Sequence, residues 1–251
     1  MAVTANTPNE RENHMLRHIN SKNLARSYHG WLDSHFHFSF AEYYNPENIH
    51  FGVLRVVNDD MVQPDTGFDM HPHKDMEILS YVVDGELSHA DSMNNKQTLT
   101  RGQVQYMSAG TGVFHSEHNW GKKPLRFLQI WFMPDRNGHK PNYGDYRFAM
   151  EDRDNRWLPI ATYTENAESA APVKMHTDIN VYATLVTEGN TIDFTVSHGR
   201  QAYLVLVEGE ADINGVAVSA RDAMEITEES VIITPKGSAH VLLMEMAKER
   251  K

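Results

Sequence analysis

Glu77-Ile78-Leu79-Ser80-Tyr81-Val82-Val83, then Asp84-Gly85, then Glu86-Leu87-Ser88-His89-Ala90 reads as two strands around a tight reversal. The flanking runs favour strand, and glycine accepts a positive φ without steric cost, so a hairpin is expected. A similar stretch recurs at Ala202-Tyr203-Leu204-Val205-Leu206-Val207-Glu208-Gly209-Glu210-Ala211-Asp212-Ile213. Each is followed by one more apolar strand, Lys123 to Phe132 in the first case and Ser238 to Met246 in the second. Short apolar runs with turn residues between them fill most of the chain, and no long amphipathic helix is evident. The reading is an all-β fold made from a duplicated unit.

The expected divisions are a flexible tail over 1–13, a first half over 14–134, a linker over 135–169 and a second half over 170–251. Folding is expected to begin near Met15-Leu16-Arg17, and the linker carries Gly138, Pro141, Gly144 and dense charge. The 251 residues suffice for two small β domains. A formal charge of −11 and a sequence pI near 5.7 give no attraction to a phosphate backbone or an anionic membrane, so no direct nucleic-acid contact is expected. The lack of cysteine removes disulfides, thiolate nucleophiles and sulfur-based zinc sites, which leaves nitrogen and oxygen to hold any metal. No run approaches the roughly 18 apolar residues of a membrane span. Met1 to Asn13 is polar without an apolar signal region, so the expectation is a cytoplasmic protein with no membrane partner.

Spacing decides which of the 15 histidines matter. His71-Pro72-His73 leads into the first strand pair, and residues two apart on a strand face the same way, so both imidazoles can converge on one ion. His115-Ser116-Glu117 repeats the device and would complete a site of three nitrogens and one carboxylate. On the residues alone, surface or hydrogen-bonded side chains explain these four equally well. His35-Phe36-His37 has the same spacing but no second pair to match it, and reads as part of an aromatic strand. Aligning Gly209 on Gly85 puts Thr195 and Ser197 where His71 and His73 stand, so the second half should hold no metal. His240 lies in the terminal strand without ligand partners.

These residues resemble the two cupin motifs: His71-x-His73 with Glu77 and Gly85, then Gly102 and Gly112-x-x-His115-x-x-x-Asn119. Among cupins the pattern is most similar to the pirins, through Phe38-Ser39-Phe40-Ala41-Glu42-Tyr43-Tyr44, Leu54-Arg55-Val56-Val57-Asn58-Asp59-Asp60 and Met107-Ser108-Ala109-Gly110-Thr111-Gly112. The resemblance is dense from about Trp31 to Asn119 and thinner beyond. It implies a bicupin, two antiparallel jelly-roll barrels packed together, with metal only in the first. The general cupin pattern would take its carboxylate from Glu77, whereas pirins use the position of Glu117. The expectation is that His71, His73, His115 and Glu117 are ligands and that Glu77 orients a ligand imidazole.

The resemblance also implies one divalent ion, Fe(II) foremost, with Mn, Ni, Cu, Co or Zn able to occupy the same ligands. The implied activity is dioxygenase cleavage of flavonols such as quercetin, with O2 as co-substrate and Glu117 as both ligand and catalytic base. His89 and Glu77 are lesser candidates for proton handling. The rival reading is a non-enzymatic, iron- or redox-responsive regulator acting through a protein partner; a third is another metal-dependent enzyme on a keto-enol substrate.

Overall fold

The computed structural model describes residues 16–248, so the expected tail over 1–13 and Met15 lie outside the described residues. The first half supplies β1 (Leu16–Ile19), β2 (Ala25–Tyr28), β3 (Leu32–Phe36), β4 (Leu54–Val62), β5 (Thr66–His73), β6 (Glu77–Asp84), β7 (Leu87–Asp91), β8 (Lys96–Leu99), β9 (Val104–Ser108), β10 (Val113–Asn119) and β11 (Leu125–Phe132). Next come β12 (Asn142–Tyr146), β13 (Leu158–Tyr163), β14 (Val173–Met175), β15 (Ile179–Thr187), β16 (Ile192–Thr195), β17 (Arg200–Ile213), β18 (Val216–Ser219), β19 (Ala223–Thr227) and β20 (Ser230–Ala247). In the first half a four-stranded sheet, β5-β10-β7-β8, faces a seven-stranded one, β12-β9-β6-β11-β4-β3-β2. The second half is one nine-stranded sheet in which β17 and β20 are the long central strands.

The duplication is present, but neither glycine stretch is a hairpin. β6 pairs with β9 and β11, whereas β7 pairs with β8 and β10. The chain therefore turns a corner at Asp84-Gly85 and passes from one sheet to the other. In the second half β17 runs straight through Gly209, with register shifts on either side of it. Both glycines hold a positive φ, +84° at Gly85 and +88° at Gly209. A Cβ on Gly85 would stand 2.7 Å from the Pro124 carbonyl, and one on Gly209 would overlap the Ser238 carbonyl. The corner at Gly85 packs against the start of β11 and the register break at Gly209 against the middle of β20, approaches that only glycine permits.

Alternation along the strands assigns the two faces of the seven-stranded sheet. Leu79 and Tyr81 of β6, with Leu128 and Ile130 of β11, join Tyr203, Val205, Leu242 and Met244 of the second half in one buried cluster. Full burial of such side chains contributes about 1.5–3 kcal/mol each, so this shared core binds the halves together. The opposite face carries Phe127 and Val82 into the interior of the first barrel. The interior of the second barrel is filled by Leu204, Leu206, Val241 and Leu243.

The stretch 135–169, expected as a linker, holds two paired strands. β12 lies on the edge of the first half's sheet beside β9, and β13 pairs with β15. At the other end of the chain, β1 lies on the edge of the second half's sheet beside β19. The strand that precedes each half is therefore laid on the sheet of the other. No helix among the described residues is long and apolar enough to cross a membrane.

Candidate metal centre

β5 and β10 run antiparallel with His71 opposite His115 and His73 opposite Val113. The alternation of the strands turns all three imidazoles inward, and their ligand atoms lie within 4.8 Å of one another. The His71 Nδ1 donates to the Asp69 carbonyl at 2.7 Å, which leaves Nε2 as the free lone pair. His115 is 1% exposed, and neither ring nitrogen has a hydrogen-bond partner among the described residues. Burial, with His71, His73 and His89 adding to it, pushes His115 down to about 2, and burial likewise lowers His73 to about 4. Neutral imidazoles with orphaned nitrogens are what a cation requires, so these residues fit a divalent metal.

Glu117 comes from the next inward position of β10, beyond a bulge that separates it from His115. Its Oε1 accepts from Ser80 Oγ at 2.8 Å and from the Gln105 amide, and its Oε2 accepts from Gln129 Nε2 at 2.6 Å. Burial pushes its carboxyl up to about 7 against the lowering effect of the Ser80 and Gln129 bonds. Glu117 also forms a trio with His115 and His89, again within 4.8 Å. His115 is thus common to two overlapping groups. His89 stacks on Tyr143 at 4.6 Å between ring centres, and its Nε2 meets Asp91 at 3.1 Å.

Glu77 does not orient a ligand imidazole. It is buried and accepts from Tyr106 and Ser108 hydroxyls and, at 3.0 Å, from the backbone N–H of His176 in the second half. The parity with His71 and His73 does not carry over because β5 ends at His73, Asp75 takes a positive φ, and β6 starts afresh in the other sheet. Glu77 accordingly shares the face of Leu79 and Tyr81, between the halves, while Ser80 faces the histidines. His37 also points to the second half, with Nδ1 2.9 Å from the Tyr203 hydroxyl, and His35 lies 3.4 Å from Arg221. His240 donates from Nδ1 to Glu208 at 2.9 Å and accepts at Nε2 from Tyr81 at 2.7 Å. Thr195 and Ser197 are exposed and hold nothing inward.

A cavity of about 280 Å³ opens beside His71, His73 and Glu117. Phe36, Phe40, Phe68 and Trp131 give it aromatic walls, and the Trp131 ring stands 4.8 Å from that of His73. One polar row starts in its lining and continues along the sheet: Asn58 lies opposite Gln129, both lining the cavity, Gln129 opposite Ser80, and Ser80 opposite Gln105. Asp60, held by Ser34, sits one step along β4 from Asn58, and burial pushes its carboxyl up to about 7.

Residues 18–132 match the pirin family model, and residues 164–246 match the model of the quercetinase C-terminal cupin domain. The chain is 40% identical to a pirin-like protein of Caulobacter vibrioides over 220 residues, 87% of this chain and 94% of that one. The chain belongs to the pirin family. It is 39% identical to a quercetin 2,3-dioxygenase of Escherichia coli K12 over 234 residues, 92% of this chain and 97% of the relative. The crystal structure of the bacterial pirin YhhW of Escherichia coli in complex with nickel(II) superposes with a TM-score of 0.85 at 36% identity, covering 93% of this chain and all of that one.

In this pirin the residues that hold Glu117 escaped the reading of the sequence. Their signal is a single polar residue within an apolar strand: Ser80 in Ile78-Leu79-Ser80-Tyr81-Val82 and Gln129 in Phe127-Leu128-Gln129-Ile130-Trp131. Such a residue, buried on a strand, needs a partner.

Proposed function

We propose that this pirin holds one divalent metal ion, Fe(II) foremost, through His71, His73, His115 and Glu117, and cleaves flavonols such as quercetin with O2. The observation that carries the reading is the convergence of three imidazoles, one of them without a partner on either nitrogen among the described residues, beside a cavity with aromatic walls. The names of relatives at about 40% identity agree with it. A bound ion would supply Lewis acidity and a redox centre at the floor of that cavity. Phe36, Phe40 and Trp131 offer flat apolar faces to a polyphenol ring and exclude water. Glu117 takes the proton of the enolic hydroxyl on a carboxylate oxygen. Burial opposes its ionised form and a bound cation would favour it, while Ser80, Gln105 and Gln129 keep the carboxylate aimed.

The test is anaerobic loading with each divalent metal in turn, followed by oxygen uptake with quercetin. Oxygen consumption matched by ring cleavage is the expected result. Tight metal binding with no turnover across a panel of flavonols would defeat the dioxygenase reading and favour a regulator acting through a protein partner.

A further inference from the structure

Asn58 is 3% exposed, yet its side-chain amide makes no hydrogen bond among the described residues, and its Oδ1 is wholly buried without a partner. It lines the cavity, with Phe36 opposite it on one side and Gln129 on the other. Its neighbours along the polar row, Gln129, Ser80 and Gln105, all reach Glu117; Asn58 is the next step outward, about 5 Å beyond Gln129 at the spacing of adjacent strands. Asp60 occupies the same face of β4 two residues on, with one oxygen taken by Ser34 and the other without a hydrogen bond among the described residues. Buried polar groups are ordinarily paired, so a buried amide beside a half-satisfied carboxyl, both lining a cavity, marks a place for a ligand's polar atoms.

We propose that Asn58, with Asp60 beside it, forms a subsite for the phenolic hydroxyls of the substrate, separate from the residues that hold the metal. The choice of a flavonol as ligand rests on the function proposed above. An amide both donates and accepts, as a hydroxyl does, and the aromatic walls admit only a flat group. The subsite therefore selects polyphenols over rings that carry the metal-binding hydroxy-ketone alone.

The experiment compares quercetin with 3-hydroxyflavone, which keeps the hydroxy-ketone but has no phenolic hydroxyls. Binding to the metal-loaded protein is read anaerobically by tryptophan quenching, Trp131 being in the cavity wall, for wild type and Asn58→Leu, with thermal unfolding of both. The wild type should bind quercetin about tenfold more tightly, the factor that one good hydrogen bond supplies. In Asn58→Leu that preference should fall below about threefold while the Tm holds or rises, because leucine replaces an unpaired amide at similar volume. An unchanged preference in the variant, no preference in the wild type, or a marked fall in the variant's Tm would each overturn the assignment. Turnover of neither compound by the wild type would refute the dioxygenase reading and leave this comparison of binding intact.

Discussion

Gln129→Leu isolates the support of Glu117 from the ligands themselves. The Gln129 amide donates to Glu117 Oε2 at 2.6 Å, with Gln129 only 8% and Glu117 2% exposed. A hydrogen bond to a buried charged group is worth about 1.5–3 kcal/mol, and each 1.4 kcal/mol is a factor of ten. Leucine has a similar volume, so little packing is lost with the amide. If Glu117 binds the ion, metal affinity should therefore fall about 10- to 100-fold, the usual loss when the partner of a ligand is removed. Competition against a chromogenic chelator measures it, with thermal unfolding of the metal-loaded protein to show that the fold persists. An affinity within about threefold of wild type in a folded variant would mean that Glu117 is not a ligand.

Four further outcomes are expected. His73→Ala should lose most of the metal by elemental analysis, whereas His35→Gln with His37→Gln should keep it, since those two rings face Arg221 and Tyr203. Glu117→Gln should lose metal, while Glu77→Gln should retain it and instead lower the Tm, because Glu77 ties Tyr106 and Ser108 to the His176 backbone. Burial opposes ionisation of Glu208, but bonds from His240 and Arg101 prevail and hold it at about 2, below its ordinary 4.5. The folded state therefore binds fewer protons there than the unfolded chain, and stability from this group, present above about pH 4.5, is lost as pH falls towards 2. Denaturation of Glu208→Gln should show a shallower loss over that window. Gly209→Ala should cost at least about 2 kcal/mol in urea unfolding, since its Cβ would collide with the Ser238 carbonyl at a φ that alanine resists.

The correspondence of Gly85 with Gly209 and the inward pairing of His71, His73 and His115 were legible because they depend on spacing along single strands. That the chain turns a corner at Gly85 and runs on through Gly209 was not: a positive φ looks the same in sequence whether the flanking strands pair, part or continue. The misreading of Glu77 has the same root, because parity holds only within one strand and Asp75 breaks the count. Asn58 and Gln129 were hidden for another reason. Their rows form across strands brought together from distant parts of the chain, and no local pattern encodes that register.

The exchange of leading strands governs how the molecule can be made and cut. During synthesis Leu16 leaves the ribosome early, but its partner Ile226 follows roughly 200 residues later. The first half can close its own edge once Asn142–Tyr146 emerges, whereas β1, long outside the tunnel, must wait for β19 of the second half. Truncation at the N-terminus therefore strips a strand from the far half and bares the edge of β19, and excision of the first half at Pro134 bares β9. Each cut leaves an unpaired strand edge, the usual seed of self-association, so neither half is a portable module.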